Sequence, residues 1–210
     1  MKILIIGATG GTGKALVKLA LEQGHFVTAF VRNPKEVKLT HTNLKVVEGN
    51  VLDISSLDMA MHGQEAVLSA LGHKKWFIKT SILSRGTANI ITTMKNNRVK
   101  RLVCETALGI SDSRFRLGLY YTLFVEPVIL YFYFRDKEIQ ERYIKESNLD
   151  WVIVRPGQLT NGKRTGRYKH GSDVGSYILT RSVSREDVAD FMIKQIDDNR
   201  YLHKTPGIIA

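Results

Sequence analysis

Cysteine is nearly absent from this chain of 210 residues: Cys104 stands alone, so no disulfide can close within it. That usage fits a reducing compartment, and a cytoplasmic location is the expectation. Proline is scarce too, with four in all. No Pro- or Ser-rich linker and no internal repeat divides the sequence, so one domain is expected at this length. The apolar start Ile3–Ile6 breaks at Gly7 after four residues, too short for a secretion-signal core. The six histidines (25, 41, 62, 73, 170 and 203) lack metal-ligand spacing, so no metal is expected. Helix-turn-helix, zinc-finger and RNA-binding signatures are missing as well. Positive charge is plentiful, at a net +11. Its carriers are scattered, and clusters such as Lys74-Lys75 and Lys163-Arg164 are short. Nucleic acid, an acidic membrane surface and an anionic small ligand would each suit such charge, and a plain soluble basic surface accounts for it better than nucleic acid does.

Apolar runs alternate with helical patterns from end to end. Strands are expected at Ile3–Ile6, Phe26–Val31, Leu44–Val47, Ala66–Leu71, Arg101–Glu105 and Trp151–Val154. Helices are expected at Lys14–Gln23, Ile54–Met61, Ser84–Asn97 and Asp136–Ser147, with a last one capped by Ser184. Asp187, three residues after Ser184, suggests a variant capping box. Strands separated by helices imply βαβ units, hence an α/β fold with a doubly wound parallel sheet of the Rossmann type. The ligand crevice then lies at the carboxyl ends of the strands.

The first strand runs into Gly7-Ala8-Thr9-Gly10-Gly11-Thr12-Gly13 and then an amphipathic helix. In that context Gly7 permits a tight turn, Gly10 lets backbone approach a pyrophosphate, and Gly13 allows close helix packing. The helix N-terminus adds free N–H groups for the phosphates, and Thr9, Gly11 and Thr12 belong to the same cradle. The second strand ends Val31-Arg32-Asn33, with Arg32 19 residues after Gly13 and no carboxylate before Glu36. A guanidinium there suits the 2′-phosphate of NADP(H), where an acidic residue would suit NAD. The alternative is a solvated surface arginine. Asp53 stands where an adenine contact is expected, or else caps the helix from Ile54. Ala70-Leu71-Gly72 closes the fourth strand with small groups against which a cofactor can lie.

These residues, with Val31-Arg32-Asn33-Pro34, Asp136–Ser147 leading into Asp150–Gly157, and Ser184-Arg185-Glu186-Asp187-Val188-Ala189, resemble the atypical short-chain dehydrogenase/reductase superfamily. The resemblance is to its NmrA-like and biliverdin reductase B-like (flavin reductase) members and covers nearly the whole chain. It implies an NADP-dependent reductase of flavins or other small conjugated substrates, or a non-catalytic redox sensor that regulates a partner. It further implies that the Arg155-Pro156-Gly157 turn shapes a substrate pocket, with Pro156 near the cofactor and residues 156–183 on the substrate side. The departures are Thr106 in place of a serine, and Glu141 and Gln158 in place of two pocket histidines. They put biliverdin chemistry itself in doubt.

Tyr133 and Lys137 have the Tyr-x-x-x-Lys spacing in which the lysine holds a ribose and the tyrosine gives a proton to a carbonyl. Two plainer readings compete: a chance match within the aromatic run Tyr131–Phe134, and an exposed Lys137–Glu141 ion pair. Leu117–Phe134 is apolar and aromatic, approaching a membrane span in length, but Glu126-Pro127 argue against crossing a bilayer. It reads as a pocket wall or lid, as a homodimer or membrane-surface contact, or as plain core. Small-molecule substrates such as a flavin or quinone are the expected partners, and an interaction or membrane-surface protein on a retained fold is a third class.

Overall fold

The computed structural model describes residues 1–73 and 78–210, so the Lys74-Lys75 cluster lies outside the described residues. The chain runs β1 (Lys2–Ile6), α1 (Gly11–Glu22), β2 (Phe26–Val31), β3 (Leu44–Glu48), α2 (Ile54–Met61), β4 (Ala66–Ser69), α3 (Ile82–Asn96) and β5 (Arg101–Glu105). A π-helical segment, Tyr121–Leu130, passes directly into α4 (Tyr131–Lys145). Then follow β6 (Asp150–Pro156), β7 (Gln158–Thr160), β8 (Lys169–Gly171), β9 (Ser182–Ser184), α5 (Arg185–Lys194) and β10 (Gly207–Ile209).

Eight strands form one sheet in the order β3-β2-β1-β4-β5-β6-β10-β8, parallel except where β8 meets β10. β7 and β9 pair separately. β1 carries β2 on one side and β4 on the other, so the winding reverses between β1 and β4. A crevice opens where the two chains diverge, at the carboxyl ends of these strands.

β1 shows why its residues are continuously apolar. Ile3 and Ile5 pack among Leu16, Ala20, Val188 and Met192 of α1 and α5. Leu4 and Ile6 face the other way, among Leu57, Met61, Ile90 and Ile144 of α2, α3 and α4. Each of these four β1 side chains is fully buried, a contribution of about 1.5–3 kcal/mol apiece. A strand covered on both faces has no solvent side to alternate with.

The boundaries differ from the periodicity at informative places. α1 begins at Gly11, so half of the glycine loop is the first turn of the helix. α4 begins five residues before Asp136, because the aromatic run lacks the polar face that marks a helix. β6 extends through Pro156, whose missing N–H is tolerated at the strand end.

Ser184 caps α5 as expected, accepting from Asp187 N–H at 3.0 Å. The Asp187 carboxylate does not close a capping box. It accepts instead from Thr165 N–H and Gly166 N–H, both at 2.8 Å, and from the Ser184 hydroxyl, fixing the 165–166 loop to α5. Burial alone would raise the Asp187 carboxyl, but these donors outweigh it and hold it below the ordinary aspartate value.

Candidate active site at the switch point

Gly7 ends β1 at φ +79°, and a Cβ there would meet the Ala70 carbonyl oxygen at 2.5 Å. Only glycine lets the two diverging strand ends lie so close. A Cβ on Gly13 would collide with the Gly7 carbonyl, so the last glycine closes the helix onto the loop itself. Gly10 stands at the N-cap of α1, and no side chain caps the helix. Its first-turn amides are therefore left for a ligand, and the uncapped turn borders a cavity of about 290 Å³.

That cavity runs from Gly7, Thr9 and Gly10 past the end of β2, where Arg32 is exposed at its edge. Among the described residues no carboxylate lines it. Gly49–Leu52 form part of its wall, as do Leu71–His73. Asp53 is not in that wall. Its carboxylate accepts from Ser55 N–H at 3.0 Å, the helix-cap geometry.

A second cavity of about 380 Å³ shares Gly10, Leu71, Gly72 and His73 with the first and adds Gly11, Thr12 and Ala70. Deeper in, it brings together Thr106, Tyr133 and Lys137, all three sequence candidates for catalysis. The idea of an exposed Lys137–Glu141 pair fails, because both side chains are buried. Lys137 Nζ donates to the Glu105 carbonyl at 3.4 Å and lies 5.3 Å from the centre of the Tyr133 ring. The Tyr133 hydroxyl reaches the cleft wall at Gly72.

Glu141 belongs to a different network. Arg155, fully buried, donates to both Glu141 oxygens at 2.9 and 2.6 Å and to Asp112 at 2.8 Å. The Thr106 hydroxyl donates to Glu141 at 2.8 Å, so its proton points away from the cavity. Burial pulls the Arg155 guanidinium down, yet its bonds to Glu141 and Asp112 win and raise it. The Asp112 carboxyl is held low chiefly by its hydrogen bond to Arg155.

Two site residues escaped the sequence reading. Glu105, at the carboxyl end of β5, is buried in the second cavity and accepts from the Thr12 hydroxyl at 3.1 Å. Burial pushes its carboxyl up, against the pull of Lys137. Its position at a strand end was the available signal. Arg185 lies against Gly11 and donates to Asn161 at 2.7 Å. It was legible only as part of the Ser184 cap segment. Cys104, by contrast, is inert: burial pushes its thiol up to about 12.

Arg185, Leu130 and Leu159 also line a third cavity of about 360 Å³, which is otherwise largely apolar. Pro156 lines this one and neither of the other two. Gln158 is exposed at its edge. The 117–134 segment forms its wall through Leu117, Tyr121, Val125, Ile129, Leu130 and Phe134. Among the described residues no group of His, Cys, Asp and Glu is arranged to hold a metal.

A glycine cradle at the switch point, opening on an uncapped helix, is the architecture of a dinucleotide site, and the signature of the NAD(P)H-binding family matches residues 7–199. The chain belongs to that family. An uncharacterized chloroplastic protein of Arabidopsis thaliana is 26% identical over 224 residues, covering 100% of this chain and 76% of its relative. The structure of the anaerobillin reductase ChuY of Escherichia coli O157:H7 superposes with a TM-score of 0.82 at 23% identity. The match spans 100% of this chain and 97% of that one. A short-chain dehydrogenase/reductase of Veillonella parvula, solved in complex with NADP, gives a TM-score of 0.81 at 19% identity, covering 100% and 94%. At these identities the two structures establish the shared Rossmann-type fold alone.

Proposed function

We propose that this chain is an NADPH-dependent oxidoreductase that reduces flavins, quinones or other small conjugated substrates. The observation that supports this most is the continuity of three cavities through shared walls. Arg32 stands at one end, Lys137 and Tyr133 in the middle, and an apolar chamber at the other end. A bound reduced nicotinamide supplies a hydride.

On this reading the protein's own residues divide the work. The α1 amides and Gly10 hold the pyrophosphate, with Thr9, Gly11 and Thr12 beside it, and Arg32 takes the 2′-phosphate. Ala70, Leu71 and Gly72 form the flat wall along which the cofactor extends. Lys137, fixed by the Glu105 carbonyl, holds the ribose. Tyr133 gives a proton to a carbonyl substrate, whereas a flavin takes its proton from water. Thr106 has spent its proton on Glu141, so it positions rather than donates. Residues 156–183 complete the substrate side.

The test is NADPH oxidation, followed by absorbance, across a panel of flavins and quinones. Turnover with at least one member is the expected result. Tight NADPH binding without turnover across the panel would favour a redox sensor instead.

A further inference from the structure

The π-helical segment Tyr121–Leu130 is apolar nearly all round. Its inner residues Tyr121, Val125 and Ile129 line the third cavity, which accounts for one face. Its outer residues Leu123, Phe124 and Val128 point to solvent, with Val128 71% exposed. A globular helix normally turns a polar face outward, so this one is uncovered on a side built to be covered.

The exposed apolar surface continues beyond the helix. Leu119 N–H donates to the Ile178 carbonyl at 3.3 Å, joining the segment to Tyr177–Leu179. Ile178 is 76% exposed, and Tyr120 and Leu179 are both more than half exposed. Such a contiguous patch marks a contact surface rather than the ordinary scatter of apolar side chains. Two of the polar groups inside it are already satisfied. The Thr122 hydroxyl donates to the Gly118 carbonyl at 3.0 Å, and Glu126 pairs with Arg114 at 3.5 Å.

Charge decides what covers the patch. Arg181 is exposed at its margin beside Arg114 and Arg135, which pair with Glu126 and Glu138, and the whole chain carries +11. A second copy seated there would bring two chains of +11 together. An anionic bilayer surface offers the opposite sign and an apolar layer within side-chain reach. No helix among the described residues is long and apolar enough to span a membrane, so contact would be with one leaflet.

We propose that Leu119–Phe132 and Tyr177–Leu179 form a membrane-docking face that seats on anionic lipid, with Leu123, Phe124 and Val128 entering the headgroup–acyl boundary. The docking stands whether or not the chain turns over a substrate. Its geometry would set the third cavity directly behind the lipid-facing helix.

The experiment is co-sedimentation of the full chain with phosphatidylcholine vesicles, with and without phosphatidylglycerol, for the native protein and for L123S/F124S/V128S. Burying even one large apolar side chain is worth about tenfold in partitioning. The native chain should therefore sediment with the anionic vesicles, less with neutral ones, and less as salt rises. The triple variant should lose at least about tenfold of that binding while keeping its melting temperature and NADPH affinity. Three results would overturn the proposal. One is no binding of native protein to either vesicle. Another is equal binding by native and variant protein. The third is a homodimer, seen by analytical ultracentrifugation, that the variant dissolves while vesicle binding stays absent.

Discussion

The glycine-loop half of this molecule, β1 through β4, and its C-terminal half, after β5, are held together by different means. Around the crevice, β1 through β4 are joined by parallel ladders and by apolar side chains on both sheet faces. After β6 the strands shrink to three residues each, and buried polar ties do the fastening. Arg155 secures Glu141 and Asp112, while Asp187 secures the 165–166 loop. A ladder tolerates many sequences, provided they are apolar with the right period. A polar tie depends on two or three particular side chains, so single substitutions should divide the halves sharply.

The largest effect is expected at Arg155. Arg155→Ala leaves the Glu141 carboxylate buried without its partner, which should cost about 3–5 kcal/mol of stability by chemical denaturation. A loss below about 1 kcal/mol would mean that water or Lys145, 3.6 Å from Glu141, replaces the guanidinium.

Arg32→Ala probes the other half and should separate function from fold. Arg32 is exposed, so the melting temperature should hardly move. NADPH affinity should fall about tenfold to a hundredfold, from a lost charge-assisted contact of roughly 1.5–3 kcal/mol, while NADH affinity stays constant. Fluorescence titration of both nucleotides decides it, and equal weakening of both would remove Arg32 from the 2′-phosphate site.

A smaller effect, dependent on pH, belongs to Asp187. Its carboxyl is lowered in the folded protein, so ionised Asp187 contributes stability above the unfolded aspartate pKa of about 3.9. That contribution is lost as pH falls through the lowered folded value. Asp187→Asn should cost about 1 kcal/mol at neutral pH, and the gap to native protein should close on acidification below about pH 4. A gap independent of pH would show that the hydrogen-bond geometry matters and the charge does not.

The same division explains what could be read from the amino acids. β2, α2 and β5 match their expected bounds residue for residue, because each is a compact apolar or amphipathic run between Gly, Asn or Asp signals. The glycine cradle was legible because its spacing followed a strand and opened a helix. Asp53 shows the limit there: Asp before a helix suits a cap and a ligand contact equally, and only coordinates reveal the bond to Ser55. In the C-terminal half periodicity had little to offer. The π-helical segment is apolar on both faces, so no amphipathic pattern announced it. β7 to β10 are too short to carry one. Lys137 was visible as half of a spacing motif, but its burial against Glu105 depends on β5 and α4 meeting in space. Arg185 reaches the glycine loop from a helix more than 170 residues later, a contact no local pattern encodes.

On the proposed function the dinucleotide cleft and the chemistry meet at Lys137, and one variant addresses this directly. Lys137→Ala should be prepared with its fold checked by melting, then measured for NADPH affinity and for NADPH-dependent flavin turnover. The account predicts NADPH binding weakened by about tenfold or more, with turnover reduced in step at sub-saturating cofactor. Unchanged NADPH affinity together with unchanged flavin turnover would contradict it, and would leave Lys137 as a buried strut beside Glu105 with no part in the site.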